Sequence, residues 1–149
     1  MSLSTQVMTA IKEAMKAKDQ NALTSLRAIK SAILLAQTET GSKEEITEEQ
    51  ELKLLQKLVK QRKDSAAIFT EQGRNDLAEP EIAQAEVIAR FLPEQMSEAD
   101  VAKVVDEVIA ATGAQGMKDM GKVMGQVNAR LTGKADGKTI STIVKERLS

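Results

Sequence analysis

The chain predicts an all-α fold: an N-terminal helical bundle with long helices, then a small C-terminal three-helix domain. Three observations predict it. The hydrophobic residues, 42% of 149, are Leu, Ile, Val, Ala and Met with two Phe and no Trp or Tyr. That palette favours helices over strands. The apolar residues recur at spacings of three and four, never strictly two. Capping signals stand at the breaks between apolar runs.

The elements follow in order. Ser4-Thr5 reads as a cap before Val7, Met8, Ile11, Ala14 and Met15, with Lys16–Asp19 closing the helix. A second helix carries Leu23, Leu26, Ala28, Ile29, Ile33 and Leu34 and fades over Thr38–Gly41. Thr47 and Gln50 match a capping box. They open a long third helix to about Thr70, with the stripe Leu52, Leu55, Val59, Arg62, Ala66 and Phe69. Such a stripe suits an antiparallel helical pair. Arg62 stands among apolar positions, where Asp64 or Glu86 could pair with it or its stem could pack with the head in water. After the break at Gly73, Asn75-Asp76 reads as the cap of a fourth helix. Pro80 falls in its early turns, and Ile82, Ala85, Ile88 and Ala89 form its buried face. Leu92 is its expected stop, because proline disfavours the α conformation in the residue before it.

The hinge Pro93–Ser97 divides the chain into domains 1–95 and 96–149. Ser97 starts a fifth helix through Val101, Val104, Val105, Val108 and Ile109, closed by Gly113. The sixth, roughly Lys118 to Leu131, buries Met120, Val123, Met124, Val127 and Leu131. Asp136 caps a seventh with Ile140, Ile143, Val144 and Leu148. Three short helices make a marginal unit by themselves.

Absent residues narrow the chemistry. There is no His and no Cys. That removes Ser-His-Asp and Cys-His catalysis, imidazole or thiolate zinc sites, iron–sulfur ligation and disulfides. No catalytic residue, metal site or cofactor is assigned. The opening MSLSTQVM has no basic segment before an apolar run, and no stretch reaches the ~18 apolar residues of a membrane span. The expected location is the cytoplasm.

What remains is a charge asymmetry. Residues 113–149 hold six of the eight glycines and carry seven Lys/Arg against three Asp/Glu, a net of +4. Residues 1–112 carry fourteen basic against nineteen acidic groups, a net of −5. Lys118, Lys122, Arg130, Lys134 and Lys138 could together meet an extended anion such as a nucleic-acid backbone. Gly121, Gly125, Gly133 and Gly137 are the places where backbone could approach it. Gly133-Lys134-Ala135-Asp136-Gly137-Lys138-Thr139 is one residue too short for a phosphate loop and follows a helix rather than a strand. It reads instead as a turn in which Gly133 ends one helix in a left-handed conformation and Asp136 caps the next. Its flanking lysines and the following helix N-terminus favour anions. Gly121 and Gly125 each cost ~1 kcal/mol relative to Ala inside a helix. Close helix packing is the commoner compensation, and a backbone touching a ligand is the other. Phe69 and Phe91 both lie on apolar faces, which leaves no aromatic platform for bases. Contact would read the backbone and shape of a folded RNA, and no DNA partner is expected.

Several segments together resemble the YqeY-like proteins: Leu26–Ala32, Val59–Ser65, the hinge Phe91–Ser97, Asp119–Gly125 and Gly133–Gly137. The likeness runs essentially end to end. YqeY-like proteins are similar to the C-terminal helical and tail regions of the GatB subunit of tRNA-dependent amidotransferases. Those enzymes amidate misacylated tRNA with glutamine as nitrogen donor, and the tail engages the body of the tRNA. The resemblance implies an all-helical two-part fold, a link to tRNA and a family connection to carbon–nitrogen ligase activity with glutamine as amido donor. Amidotransferase subunits are further partners that it implies. The chain has no counterpart of the kinase-like domain that handles ATP and the acyl-tRNA end, nor of the Ser-Ser-Lys amidase. We read it as a non-catalytic tRNA-binding accessory module. The alternative is a helical protein-interaction adaptor that binds no RNA.

Overall fold

The computed structural model describes residues 2–39, 41 and 45–149. Among the described residues there are seven α-helices and no strand, so the fold is all-α. The helices are α1 (Leu3–Ala17), α2 (Gln20–Glu39), α3 (Glu48–Glu71), α4 (Asn75–Ala89), α5 (Glu98–Thr112), α6 (Met120–Leu131) and α7 (Gly137–Leu148). The chain divides into two compact units, Met1–Leu92 and Pro93–Ser149.

In the first unit, α1 begins a turn earlier than Ser4-Thr5. Leu3 is buried, which draws the helix back to Ser2, whose side-chain oxygen accepts from Thr5 N at 3.2 Å. Lys18 ends α1 in the left-handed region at φ 56°. Asp19 then accepts from Ala22 N at 3.1 Å and opens α2. Leu23, Leu26, Ile29 and Ile33 form the buried face of α2. Leu34 belongs to the same spacing yet is 55% exposed, because it lies about 100° round the helix from Ile33. The end of α2 expected over Thr38–Gly41 includes Thr40, which is outside the described residues.

Thr47 and Gln50 form the capping box, with reciprocal bonds of 3.2 and 2.8 Å. The turn Gln72–Arg74, with Gly73 at φ 72°, reverses the chain so that α4 runs back along α3. Asn75 and Asp76 sit inside α4 rather than capping it. Arg74 takes the N-cap position without a side-chain cap and holds Asp76 through bonds of 3.0 and 3.1 Å. That guanidinium keeps the Asp76 carboxyl below its ordinary pKa. Ile82 is 46% exposed, and Ala78, Ala85, Val87 and Ile88 take the buried positions of α4 instead. Arg62 pairs with neither Asp64 nor Glu86. Its Nη1 reaches Leu58 O at 3.5 Å and its buried Nε has no partner. The core joins Leu3 and Val7 of α1, the buried face of α2, Leu55 and Val59 of α3, and Ala85, Val87 and Ile88 of α4. The buried Ser25 hydroxyl donates to Asn21 O at 2.7 Å, so that core carries no unpaired hydroxyl.

The second unit takes in Pro93–Gln95 as well as the residues from Met96 on. Gln95 Nε2 donates to Pro93 O and to Gly133 O, both at 2.8 Å. Met96 N donates to Lys134 O at 2.9 Å. Ser97 caps α5 by accepting from Asp100 N at 3.2 Å, and Gly113 ends it at φ 69°. A 3₁₀ turn, Met117–Asp119, precedes α6, and Asp119 accepts from Gln115 N at 3.0 Å. Val101, Val105 and Val108 of α5, Val123, Val127 and Leu131 of α6, and Ile140, Ile143, Val144 and Leu148 of α7 make the core.

Candidate nucleic-acid interface

The cationic residues lie along α6 and the loop that follows it. Lys118 stands on the 3₁₀ turn and Lys122 in the first turn of α6. Arg130 closes α6, Lys134 lies in the α6–α7 loop and Lys138 is the second residue of α7. All five are exposed. With 12 residues in α6, its two ends lie roughly 18 Å apart.

The loop's conformation is set locally. Thr132 has φ −51° and ψ 121°, Gly133 has φ 77°, and Lys134 N donates to Leu131 O at 2.9 Å. This is a type II turn with glycine at the position that requires positive φ. Gly133 is therefore the left-handed residue, but as part of a turn and not as the cap of α6. It is also buried, and Gln95 and Met96 fasten the turn from outside. The clasp spans 38 residues of sequence, so no local signal reveals it. Asp136 is the N-cap of α7 and accepts from Lys138 N at 3.2 Å.

Glycines 121 and 125 do not serve close helix packing. A Cβ at either meets nothing within 4 Å, and the same holds at Gly137. Gly121, Gly125, Asn128 and Ala129 are all exposed. The outward face of α6 between Lys122 and the loop is thus nearly bare backbone.

Electrostatics divide the five cations. Counted from Pro93, eight Lys/Arg meet eight Asp/Glu, because residues 93–112 add one lysine and five carboxylates to the +4 segment. The excess charge of the tail is local and does not extend over the unit. Arg130 Nη2 bonds Glu107 of α5 at 2.8 Å, and Arg147 Nε stands 3.4 Å from Asp106. Arg130 is thus neutralised by a side chain 23 positions away. Both of its partners are largely exposed, so the pair contributes less than about 1 kcal/mol and an anion could compete for it. Lys138 borders a shallow depression with Glu98, Glu146 and Thr142. The Asp136 carboxylate already occupies a free N–H at the start of α7. This end of α7 is a poorer anion site than the loop sequence suggests. Lys118, Lys122 and Lys134 have no ion pair among the described residues. No group of three or more Asp/Glu among the described residues is placed to hold a metal ion. No described helix is long and apolar enough to cross a membrane.

Fold and surface define an all-helical, two-unit protein with a glycine-bared helix face between lysines. The chain belongs to the Yqey-like protein family, whose model matches residues 4–148. It is 30% identical over 140 residues to altered inheritance of mitochondria protein 41 of Pyrenophora tritici-repentis, covering 91% of this chain and 75% of that one. It is 40% identical over 82 residues to the protein of the same name in Clavispora lusitaniae, 55% of this chain and 46% of that one. It is also 38% identical over 73 residues to a glutamyl-tRNA(Gln) amidotransferase subunit of Thermococcus gammatolerans. That match covers 46% of this chain and only 12% of the archaeal protein.

Proposed function

We propose that the chain is a non-catalytic accessory module that binds the tRNA backbone in the setting of tRNA-dependent amidation. One observation carries the reading: the unpaired Lys118, Lys122 and Lys134 bracket an exposed helix face on which Gly121 and Gly125 leave the backbone uncovered. Likeness to part of an amidotransferase subunit supplies the chemical context. An anion lying along α6 meets ammonium groups at both ends and no side chain between them. A span of roughly 18 Å corresponds to about five phosphates of one strand. Amidotransferase subunits are the protein partners this reading favours.

Three or four phosphate contacts give a weak, salt-sensitive complex. Log affinity should fall with log salt at a slope of roughly −2 to −4, from about −0.7 to −0.9 per contact. Substituting Lys118, Lys122 and Lys134 by Glu should abolish retention of tRNA on the immobilised chain while its thermal melt stays unchanged. Undiminished retention in that variant sinks the reading. A partner recovered equally well after nuclease treatment would instead identify an adaptor that needs no RNA. Cytoplasmic residence belongs to the same reading. Two relatives carry a mitochondrial name, and fractionation of cells expressing a tagged chain decides between the compartments.

A further inference from the structure

The first unit carries two surfaces that its own core does not use. The first is a projecting arm. No residue between 60 and 84 contributes to the core or packs against its edge. The distal parts of α3 and α4 therefore extend beyond it as a helical hairpin, with residues 60–71 alone reaching roughly 18 Å. Only Ala66 and Ala78 are buried there, while Ile68 is 53% and Ile82 46% exposed, with Leu77 also in solvent. Acidic residues sit beside each of them at helical spacing: Asp64 before Ile68, Glu81 after Leu77, Glu79 and Glu86 around Ile82. From Asp64 to Glu86 there are six carboxylates and one base, Arg74, which is already paired with Asp76.

The second surface is a groove between α1 and α2. Val7, Met8, Ile33 and Leu34 line a depression of about 190 Å³ with Lys30 at its edge. The apolar stripe continues along α1 to Met15, which is 56% exposed. Lys12 lies one turn from both Met8 and Met15, and Arg27 and Lys30 precede Leu34 by two turns and one. None of these three cations has an ion pair among the described residues.

The surfaces match in pattern and oppose in charge. The arm alternates exposed apolar residues with carboxylates, and the groove alternates them with cations. We infer that the occupant of the groove is the α3–α4 arm of a second copy of this chain. The exchange is reciprocal, so one two-fold dimer buries both apolar surfaces and leaves neither open to further copies. The geometry is independent of Lys118, Lys122 and Lys134, and its test does not involve RNA.

Sedimentation equilibrium of the full chain over a concentration series should show a species at twice the 16.1 kDa chain mass that dissociates in high salt. A chain with Arg27→Glu and Lys30→Glu should weaken the dimer by roughly tenfold or more, and so should one with Glu79→Lys and Glu81→Lys. Mixed together, the two variants should rebuild a heterodimer, because each altered groove then meets an arm of opposite charge. Matching thermal melts establish that both variants are folded. A chain that stays at 16.1 kDa throughout overturns the inference. So does a dimer indifferent to both reversals, or a mixture that fails to associate. Binding of the monomer to phosphatidylserine vesicles that Lys30→Glu abolishes would assign the groove to a lipid surface and equally overturn it.

Discussion

Replacing Gly121 and Gly125 by alanine should make the protein more stable and a poorer RNA binder. Both glycines lie inside α6, and an added Cβ at either meets no atom within 4 Å. The methyl groups therefore cost nothing in the folded state. They remove backbone freedom from the unfolded chain, which gives about 1 kcal/mol for each helix-interior position. The two sites are one turn apart on an open face and share no neighbour, so their effects should nearly add, to about 2 kcal/mol. If the second unit melts separately, each kcal/mol raises its midpoint by roughly 4–8 °C, as in a domain of 60–100 residues. The assay is a calorimetric melt of the full chain beside a salt titration of tRNA retention. A lower midpoint would refute the structural premise, since it means the methyl groups meet something. A higher midpoint with tRNA retention unchanged would refute the claim that bare backbone matters for binding. Only gain and loss together support it.

Two further predictions concern helix ends. Asp136→Ala removes the cap on Lys138 N and should cost about 1 kcal/mol, read as a lower melting midpoint that Asp136→Asn largely restores. Burial and the neighbouring Glu48 and Glu45 raise the Glu51 pKa above its ordinary value. Its ionised form is thus a small penalty on the folded state, absent below the unfolded pKa and fully present above the folded one. Glu51→Gln should raise the midpoint at neutral pH and leave it unchanged near pH 3, which paired melts at the two pH values check.

Helix positions were legible because their causes are local. The three-and-four spacing sets the buried faces of α5, α6 and α7, and Thr47, Ser97 and Asp136 cap their helices through side chains two or three residues from the N–H they accept. What spacing cannot decide is how wide a buried face is. Leu34 and Ile82 belong to apolar runs, yet packing stops short of both. Caps fail where tertiary burial outweighs a local preference, as when the burial of Leu3 moves the start of α1 back to Ser2. The candidate site was half legible. Gly133 and Asp136 are readable as turn chemistry, but the Glu107 carboxylate that neutralises Arg130 lies on another helix, and so does the Asp106 that meets Arg147. Net charge of a segment says nothing of which carboxylates folding brings against it.

The clasp of Gln95 and Met96 on the α6–α7 turn bears on how the tail can be excised. A fragment starting at 96 discards the amide that satisfies Gly133 O and turns the Met96 donor into a free chain end. The turn presenting Lys134 would then have to hold its shape by itself. A recombinant tail that begins at Pro93 or earlier keeps this brace, so those three residues separate a fragment with a native turn from one whose lysine is loosely displayed.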